Sequence, residues 1–277
     1  MMLLQGILAA LLAMPLFTSA ATTPQVIPSR FPGRILIPAV INGHTLWFHL
    51  DTGTNGLFID ADAAAQAGMK LDMAGHSASA DIDVGTLHAS DARFGLLGRY
   101  GYDDGGVHVS GLIGTPFFDS NVVTLDYPHE QVIVYPNHCF DPRTTHVAPT
   151  PIDLTNVARV RAWFGGKEAR MLLDTGSQRT ILFESFARNV IVGPPISPEQ
   201  RITIGIGAAP TYEREYRTKP FIFGGLQITQ MTAIVADAAP DAVPESRYDG
   251  ILGRDIYPEF RITLDYDDRV IYLQPEP

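Results

Sequence analysis

The chain has 277 residues, enough for one large domain or two lobes of ordinary size. Its 45% apolar and 18% charged residues describe a globular protein and exclude a disordered one. Thirty acidic residues against twenty basic ones give a formal charge of −10 and a pI near 5.2; such a surface repels phosphate backbones, so no nucleic-acid partner is expected.

Residues 1–20 read as a secretion signal. Leu3 to Phe17 is apolar apart from Gln5, Gly6 and Pro15, and Thr18-Ser19-Ala20-Ala21 supplies small residues of the cleavage-site kind. The run is short for a membrane span and lacks a flanking basic cluster. The protein is therefore expected to be exported, periplasmic or secreted, with no stable membrane span once the signal is removed. Cys139 is the only cysteine, so an exported chain of this kind holds together without an internal disulfide. His138, Cys139 and His146 match no zinc spacing, and no metal is expected.

Residues 21–33, rich in Pro and Thr, form an extended lead-in. Residues 34–41 and 45–50 are β-rich runs joined by Asn42-Gly43, a hairpin signal, and the second run leads straight into Asp51-Thr52-Gly53-Thr54. Asp60 is placed to cap a short helix over 61–67, which Gly68 stops. Strands are expected near 80–84 and 87–97. A glycine-rich loop follows with Tyr100 and Tyr102, which either line a cleft or simply pack. Gly111-Leu112-Ile113-Gly114 leads on to Phe117-Phe118 and to strands over 122–126 and 131–135.

Residues 136–153 hold four prolines and little periodicity and read as a linker between a lobe over 34–135 and a second over 154–277. After it the programme restarts. Adding 123 carries Asn42-Gly43 onto Gly165-Gly166 and Asp51 onto Asp174 without a gap, so Asp174-Thr175-Gly176-Ser177 repeats the first tetrapeptide. Downstream, Gly250-Ile251-Leu252-Gly253 answers Gly111-Leu112-Ile113-Gly114, and Thr263-Leu264-Asp265-Tyr266 answers Thr124-Leu125-Asp126-Tyr127. Asp to final glycine spans 63 residues in the first half and 79 in the second; the sixteen extra fall around Arg201 to Arg217, which reads as a long hairpin. Two copies of an all-β unit, each delivering a carboxylate at a strand end, point to two lobes facing each other across a shared site.

These paired motifs resemble the aspartic proteases of the pepsin and retropepsin type in a single-chain, two-lobed form. The resemblance covers Arg34 to Leu273. It rests on Asp51-Thr52-Gly53 with Leu112-Ile113-Gly114 and on Asp174-Thr175-Gly176 with Ile251-Leu252-Gly253. It implies an all-β fold of two homologous β-barrel lobes with a cleft between them, and hydrolysis of peptide bonds without cofactor. Two adjacent carboxylates cannot both ionise cheaply, so Asp51 and Asp174 would share a proton and hold a water between them. Gly53 and Gly176 would let the loops approach each other. Thr52 and Thr175 would bond across to the opposite loop, and Thr54 and Ser177 would bond the outer carboxylate oxygen of their own lobe. Gly114 and Gly253 would end the strand threading beside each loop.

The hairpin of Ile204, Gly205, Ile206, Gly207 and Tyr212 is the candidate flap, the reverse of pepsin, whose N-terminal lobe carries it; an ordinary surface hairpin is the alternative. Arg254 matches the arginine of the retropepsin Gly-Arg run, but Gln178 stands where its carboxylate partner would be. The expected partner is a peptide or protein in extended conformation, and the expected state is a monomer, because both carboxylates come from one chain. The competing reading is a catalytically silent peptide-binding or inhibitor protein on the same fold. Both triplets are intact, which favours the aspartic endopeptidase. Neither Gly-x-Ser-x-Gly nor His-Glu-x-x-His occurs, so serine and zinc hydrolase chemistry find no support.

Overall fold

The structure is a computed structural model that describes residues 17–275, apart from 99, 137–138, 156, 204–209, 238, 240–242 and 259. It is almost all β. In the first lobe β1 (Gln25–Ile27) precedes β2 (Leu36–Ile41), β3 (His44–Leu50), β4 (Leu57–Asp60), α1 (Ala61–Gln66), β5 (Lys70–Leu71), β6 (Ser77–Val84), β7 (Leu87–Leu97), β8 (Tyr102–Asp104), β9 (Val107–Ile113) and α2 (Thr115–Phe118). Then come β10 (Val122–Asp126) and β11 (Gln131–Tyr135), followed by β12 (Thr150–Pro151) and β13 (Asp153–Leu154). The second lobe comprises β14 (Ala158–Phe164), β15 (Lys167–Leu173), β16 (Ile181–Phe183), α3 (Glu184–Ala187), β17 (Ile191–Val192), β18 (Gln200–Thr203), β19 (Pro210–Thr218), β20 (Phe221–Phe223), β21 (Leu226–Ile228), β22 (Met231–Ala236) and β23 (Gly250–Leu252). β24 (Phe260–Asp265) and β25 (Val270–Pro275) close the chain's described part.

The hairpins follow from their turn residues. Asn42 and Gly43 adopt φ of 47° and 81°, and Gly165 and Gly166 adopt 57° and 82°. Two successive left-handed residues match the twist of the flanking strands. They fix the register, Ile41 opposite His44 and Phe164 opposite Lys167. Asp60 caps α1 as expected, its Oδ1 accepting from the N–H groups of Asp62 and Ala63 at 2.9 and 3.2 Å.

One arrangement occurs in both lobes and places the site. β9 lies between β3, which it meets in parallel (Leu50 opposite Ile113), and β4, which it meets antiparallel (Phe58 opposite Leu112). In the second lobe β23 lies between β15, in parallel (Leu173 opposite Leu252), and β16, antiparallel (Ile181 opposite Ile251). The strand thus threads under the loop that carries each aspartate. The crossing is tight enough to require glycine: a Cβ on Gly114 would lie 2.0 Å from the Thr54 carbonyl oxygen, and one on Gly253 would lie 2.3 Å from that of Arg179.

The lobes share a six-stranded sheet in the order β1-β11-β10-β24-β25-β12. At its centre β10 and β24 run antiparallel with Thr124 opposite Thr263, their hydroxyls 2.7 Å apart. The same aromatic core continues through both lobes: Phe31 meets Tyr127 edge-on at 5.5 Å, and Tyr127 meets Tyr257 at 5.8 Å. The stretch read as a linker is anchored rather than loose, since its end forms β12 against β25 and Gln274 donates to the Thr145 carbonyl at 3.0 Å. At the other end, Phe17 is buried against Phe117 at 5.5 Å, and Thr18 exchanges backbone hydrogen bonds with His88. No helix among the described residues is long and apolar enough to cross a membrane.

Candidate active site

Asp51 and Asp174 are the first residues beyond β3 and β15. Their N–H groups donate to the threading strands, to the Ile113 carbonyl at 2.9 Å and the Leu252 carbonyl at 3.1 Å. The two loops face each other and bring their carboxyl groups together: a Cβ on Gly176 would lie 2.9 Å from Asp174 Oδ1 as well as 2.9 Å from Asp51 Oδ2. A Cβ on Gly53 would lie 2.6 Å from the Asp174 carboxyl carbon. Any larger residue at either glycine would push the opposite carboxylate away.

The neighbours divide unevenly. Asp51 Oδ1 accepts from the Gly53 N–H at 2.8 Å, and its Oδ2 accepts from the Thr54 hydroxyl at 2.7 Å. Asp174 Oδ1 accepts from the N–H groups of Gly176 and Ser177 at 2.7 and 3.1 Å. The Ser177 hydroxyl does not repeat what Thr54 does, contrary to the expectation from the motif: it donates to the Arg179 carbonyl at 2.8 Å. The threading strand explains the difference. In the first lobe the equivalent carbonyl, that of Gly56, accepts from the Gly114 N–H at 2.9 Å. In the second, the Gly253 N–H turns to the Thr180 hydroxyl at 3.3 Å, leaving the Arg179 carbonyl to Ser177. Thr52 and Thr175 do reach across, each hydroxyl accepting from the other's N–H.

Sequence comparison bears on the same segments. The model of the family described as aspartyl protease matches residues 37–117 and 160–256, two regions that contain one aspartate loop and one threading strand each. The chain belongs to the aspartyl protease family. This aspartyl protease is also similar in fold to the crystal structure of aspartic proteinase from Irpex lacteus, with a TM-score of 0.50 over 91% of this chain and 97% of that one. At 12% identity the likeness is one of fold. No curated protein matches the sequence significantly.

In this two-lobed aspartyl protease the carboxyl pair lies on the floor of a cleft of about 780 Å³. Asp51 is nearly buried, while Asp174 keeps an edge open to the cleft. Burial, and then the charge of Asp51 beside it, hold the Asp174 carboxyl well above the usual carboxylate range; the N–H groups of Gly176 and Ser177 pull it only partly back.

Tyr100 and Tyr102 line the first-lobe wall and also pack against the Leu36, Val107 and Val109 cluster, so both readings left open for them hold. They meet edge-on at 5.3 Å, and the Tyr100 and Gly101 N–H groups are held by the second oxygen of the helix cap, Asp60 Oδ2, at 2.7 and 3.2 Å. The second-lobe wall carries Arg179, Glu213 and Glu215. Arg179 is ion-paired with Glu215, which also accepts from the Thr232 hydroxyl at 2.9 Å. Burial pushes Glu215 up, but these two partners outweigh it and bring the carboxyl below its ordinary value. Burial raises Glu213; Arg179 pulls it back and Glu215 opposes that, for a net rise.

Two arginines bind the lobes beside the floor. Arg34 Nε donates to the Gly176 carbonyl at 3.2 Å, and Arg254 donates to the carbonyls of Gly33 and Phe31. Arg254 thus finds backbone oxygens of the opposite lobe where the motif offers no carboxylate. Of the candidate flap, 204–207 lie outside the described residues. β18 and β19 do form the expected antiparallel hairpin, from Gln200 opposite Glu213 to Thr203 opposite Pro210, and Gln200, Glu213 and Glu215 face the cleft. Tyr212 is half exposed and lies outside the cleft wall. His49, Arg34, Arg179, Glu213 and Glu215 also line the cleft and stand outside the paired motifs. For His49 the signal was present: it is a polar residue in a strand whose repeat partner, 123 residues on, is Leu172.

Proposed function

We propose that this chain is an endopeptidase that hydrolyses internal bonds of extended peptides with a water activated between Asp51 and Asp174. The observation that carries the reading is the close approach of two carboxyls supplied by different lobes in the lining of an open cleft. The uneven set of donors supports one division of their roles. Asp51 accepts on both oxygens, one from a backbone N–H and one from a hydroxyl, which suits an ionised carboxylate. Asp174 accepts only on Oδ1 from its own loop, and burial with the Asp51 charge holds its carboxyl well above the usual carboxylate range.

Asp51 draws a proton from the water as the oxygen attacks the scissile carbonyl carbon, and Asp174 donates its proton to the carbonyl oxygen. The resulting tetrahedral diol collapses when Asp51 passes its proton to the amide nitrogen, Asp174 takes a proton back from one diol hydroxyl, and the C–N bond breaks. The products are a carboxylic acid and an amine, and the pair again shares one proton. The β18–β19 hairpin serves as the flap over the bound peptide. The same reading takes the protein as exported and active as a monomer, because one chain supplies both carboxylates.

The test is a mixed decapeptide library incubated with purified protein from pH 3 to 7. Internal cleavage that a statine-type peptide blocks supports the reading. An inert protein that still binds the peptides would replace it with a binding role.

A further inference from the structure

The cleft is chemically lopsided about the aspartates. The register places residues 49, 58 and 112 of the first lobe where the second has 172, 181 and 251. In the second lobe all three are apolar, and Leu172, Ile181 and Ile251 join Ile234 and Tyr248 in one buried cluster, three isoleucines of which line the cleft. In the first lobe the first of the three is His49.

His49 is 2% exposed and lines the cleft, on the same face of its strand as Asp51 two residues on. Its ring faces the backbone of Thr175. The Thr175 N–H is already given to the Thr52 hydroxyl at 3.0 Å, so the group to which the ring can donate is the Thr175 carbonyl. Nε2 is buried with no partner, which leaves Nδ1–H to face that carbonyl. In a neutral ring with hydrogen on Nδ1, Nε2 is a bare acceptor.

The ring is neutral over most of the acid range. Burial first, with help from Arg34, lowers its pKa to about 4, against the opposing pull of Asp51, Asp104 and the Thr175 carbonyl. A buried acceptor without a donor is rare in a folded protein unless something else supplies one.

We propose that His49 Nε2 is a specificity determinant that accepts a hydrogen bond from the substrate side chain seated on the first-lobe side of the scissile bond. The enzyme then selects peptides with a neutral hydroxyl or carboxamide side chain there and an apolar side chain on the second-lobe side. Arg34 lines the same wall and disfavours a cationic donor. Its guanidinium lies 5.6 Å from the Tyr102 ring, so a flat aromatic and guanidinium surface bounds the space beside His49. This proposal rests on the peptidase reading above.

The test compares kcat/KM at pH 5.5 for matched peptides that differ only by Asn or Leu, and by Thr or Val, at the residues flanking the bond. Wild type should prefer the donor member of each pair by about three- to tenfold at one flanking position. His49→Leu, which copies Leu172, should remove the preference. His49→Asn should do the same, because its amide can still donate to the Thr175 carbonyl but offers no acceptor at Nε2. A purely structural role would slow both members of a pair alike and leave their ratio unchanged, and that result would overturn the proposal. Failure of wild type to cut any peptide would instead defeat the peptidase reading. The inference would then be decided by ¹⁵N NMR of the imidazole in Asp174→Asn protein. The Nε2 resonance should move with the Asn peptide and not with the Leu peptide, and equal responses would reject it.

Discussion

Thr52 and Thr175 exchange hydrogen bonds across the lobe interface. The Thr175 N–H donates to Thr52 Oγ1 at 3.0 Å and the Thr52 N–H to Thr175 Oγ1 at 3.1 Å. Each hydroxyl then passes its own hydrogen to the opposite strand, Thr52 to the Leu173 carbonyl at 2.8 Å and Thr175 to the Leu50 carbonyl at 2.9 Å. Two bonds between these buried residues and two more to the opposite strands hold the aspartate loops together. Replacing either by Val keeps the shape but strands an N–H and a carbonyl. Each of Thr52→Val and Thr175→Val should cost about 2–4 kcal/mol and lower Tm by roughly 5–15 °C. Calorimetry on the two variants and on Thr52→Ser, which should stay near wild type, checks this; Val variants within about 2 °C of wild type would contradict it.

The hydroxyls one residue beyond the glycines should behave differently from each other. Thr54→Val removes a donor from Asp51 Oδ2 and should lower kcat/KM by about tenfold. Ser177→Ala removes a bond to the Arg179 carbonyl and none to either carboxyl, and should stay within about twofold of wild type. Equal losses in the two variants would show that the roles assigned to the carboxyls are wrong.

The repeat made the frame of this molecule legible. A gapless offset of 123 residues from Asn42-Gly43 to the aspartates, and the recurrence of a Gly-x-x-Gly strand, located both loops, both threading strands and the turns that set their register. The helix cap at Asp60 was legible for the same local reason, a short acceptor before an alanine run. Side-chain choices between two nearby acceptors were not. Ser177 bonds Arg179 because the Gly253 N–H has turned to Thr180, a consequence of Thr180 standing where the first lobe has Leu57. Arg254 settles on Gly33 and Phe31, 221 and 223 residues away, which no local pattern announces. The second job of Asp60, holding the Tyr100 loop, depends on a contact 40 residues distant.

That second job is testable. Asp60 is almost buried and accepts four backbone N–H bonds, which together outweigh burial and keep its carboxyl below the ordinary range. Asp60→Ala should destabilise the protein by about 2 kcal/mol through the lost cap and stranded donors. It should also raise KM as the tyrosine wall loosens. Denaturant unfolding and peptide kinetics on one preparation separate the effects; a stability loss with unchanged KM would mean that Tyr100 needs no anchor.

Stability should depend on pH through Asp174 in a definite direction. Its native-state value lies well above the ordinary 3.8, so the native state binds the proton more tightly than the unfolded chain. The native state therefore bears a rising cost as pH climbs from about 4 through the native value, and none below. Asp174→Asn has no proton to release. The Tm of Asp174→Asn minus that of wild type should be flat below about pH 4 and should increase above it until Asp174 ionises. His49 works the other way, since its native value of about 4 against 6.5 costs stability as pH falls between them, but it is common to both proteins. A Tm difference that does not vary with pH would contradict the raised value.

The central claim is that the two lobes make one catalyst from Asp51 and Asp174. The most direct measurement is kcat/KM on one good peptide for wild type, Asp51→Asn and Asp174→Asn at the wild-type pH optimum. The account predicts that each single substitution lowers the rate by a factor on the order of 10³ or more, because neither carboxyl can activate the water and polarise the carbonyl alone. A variant that keeps most of the wild-type rate would contradict it.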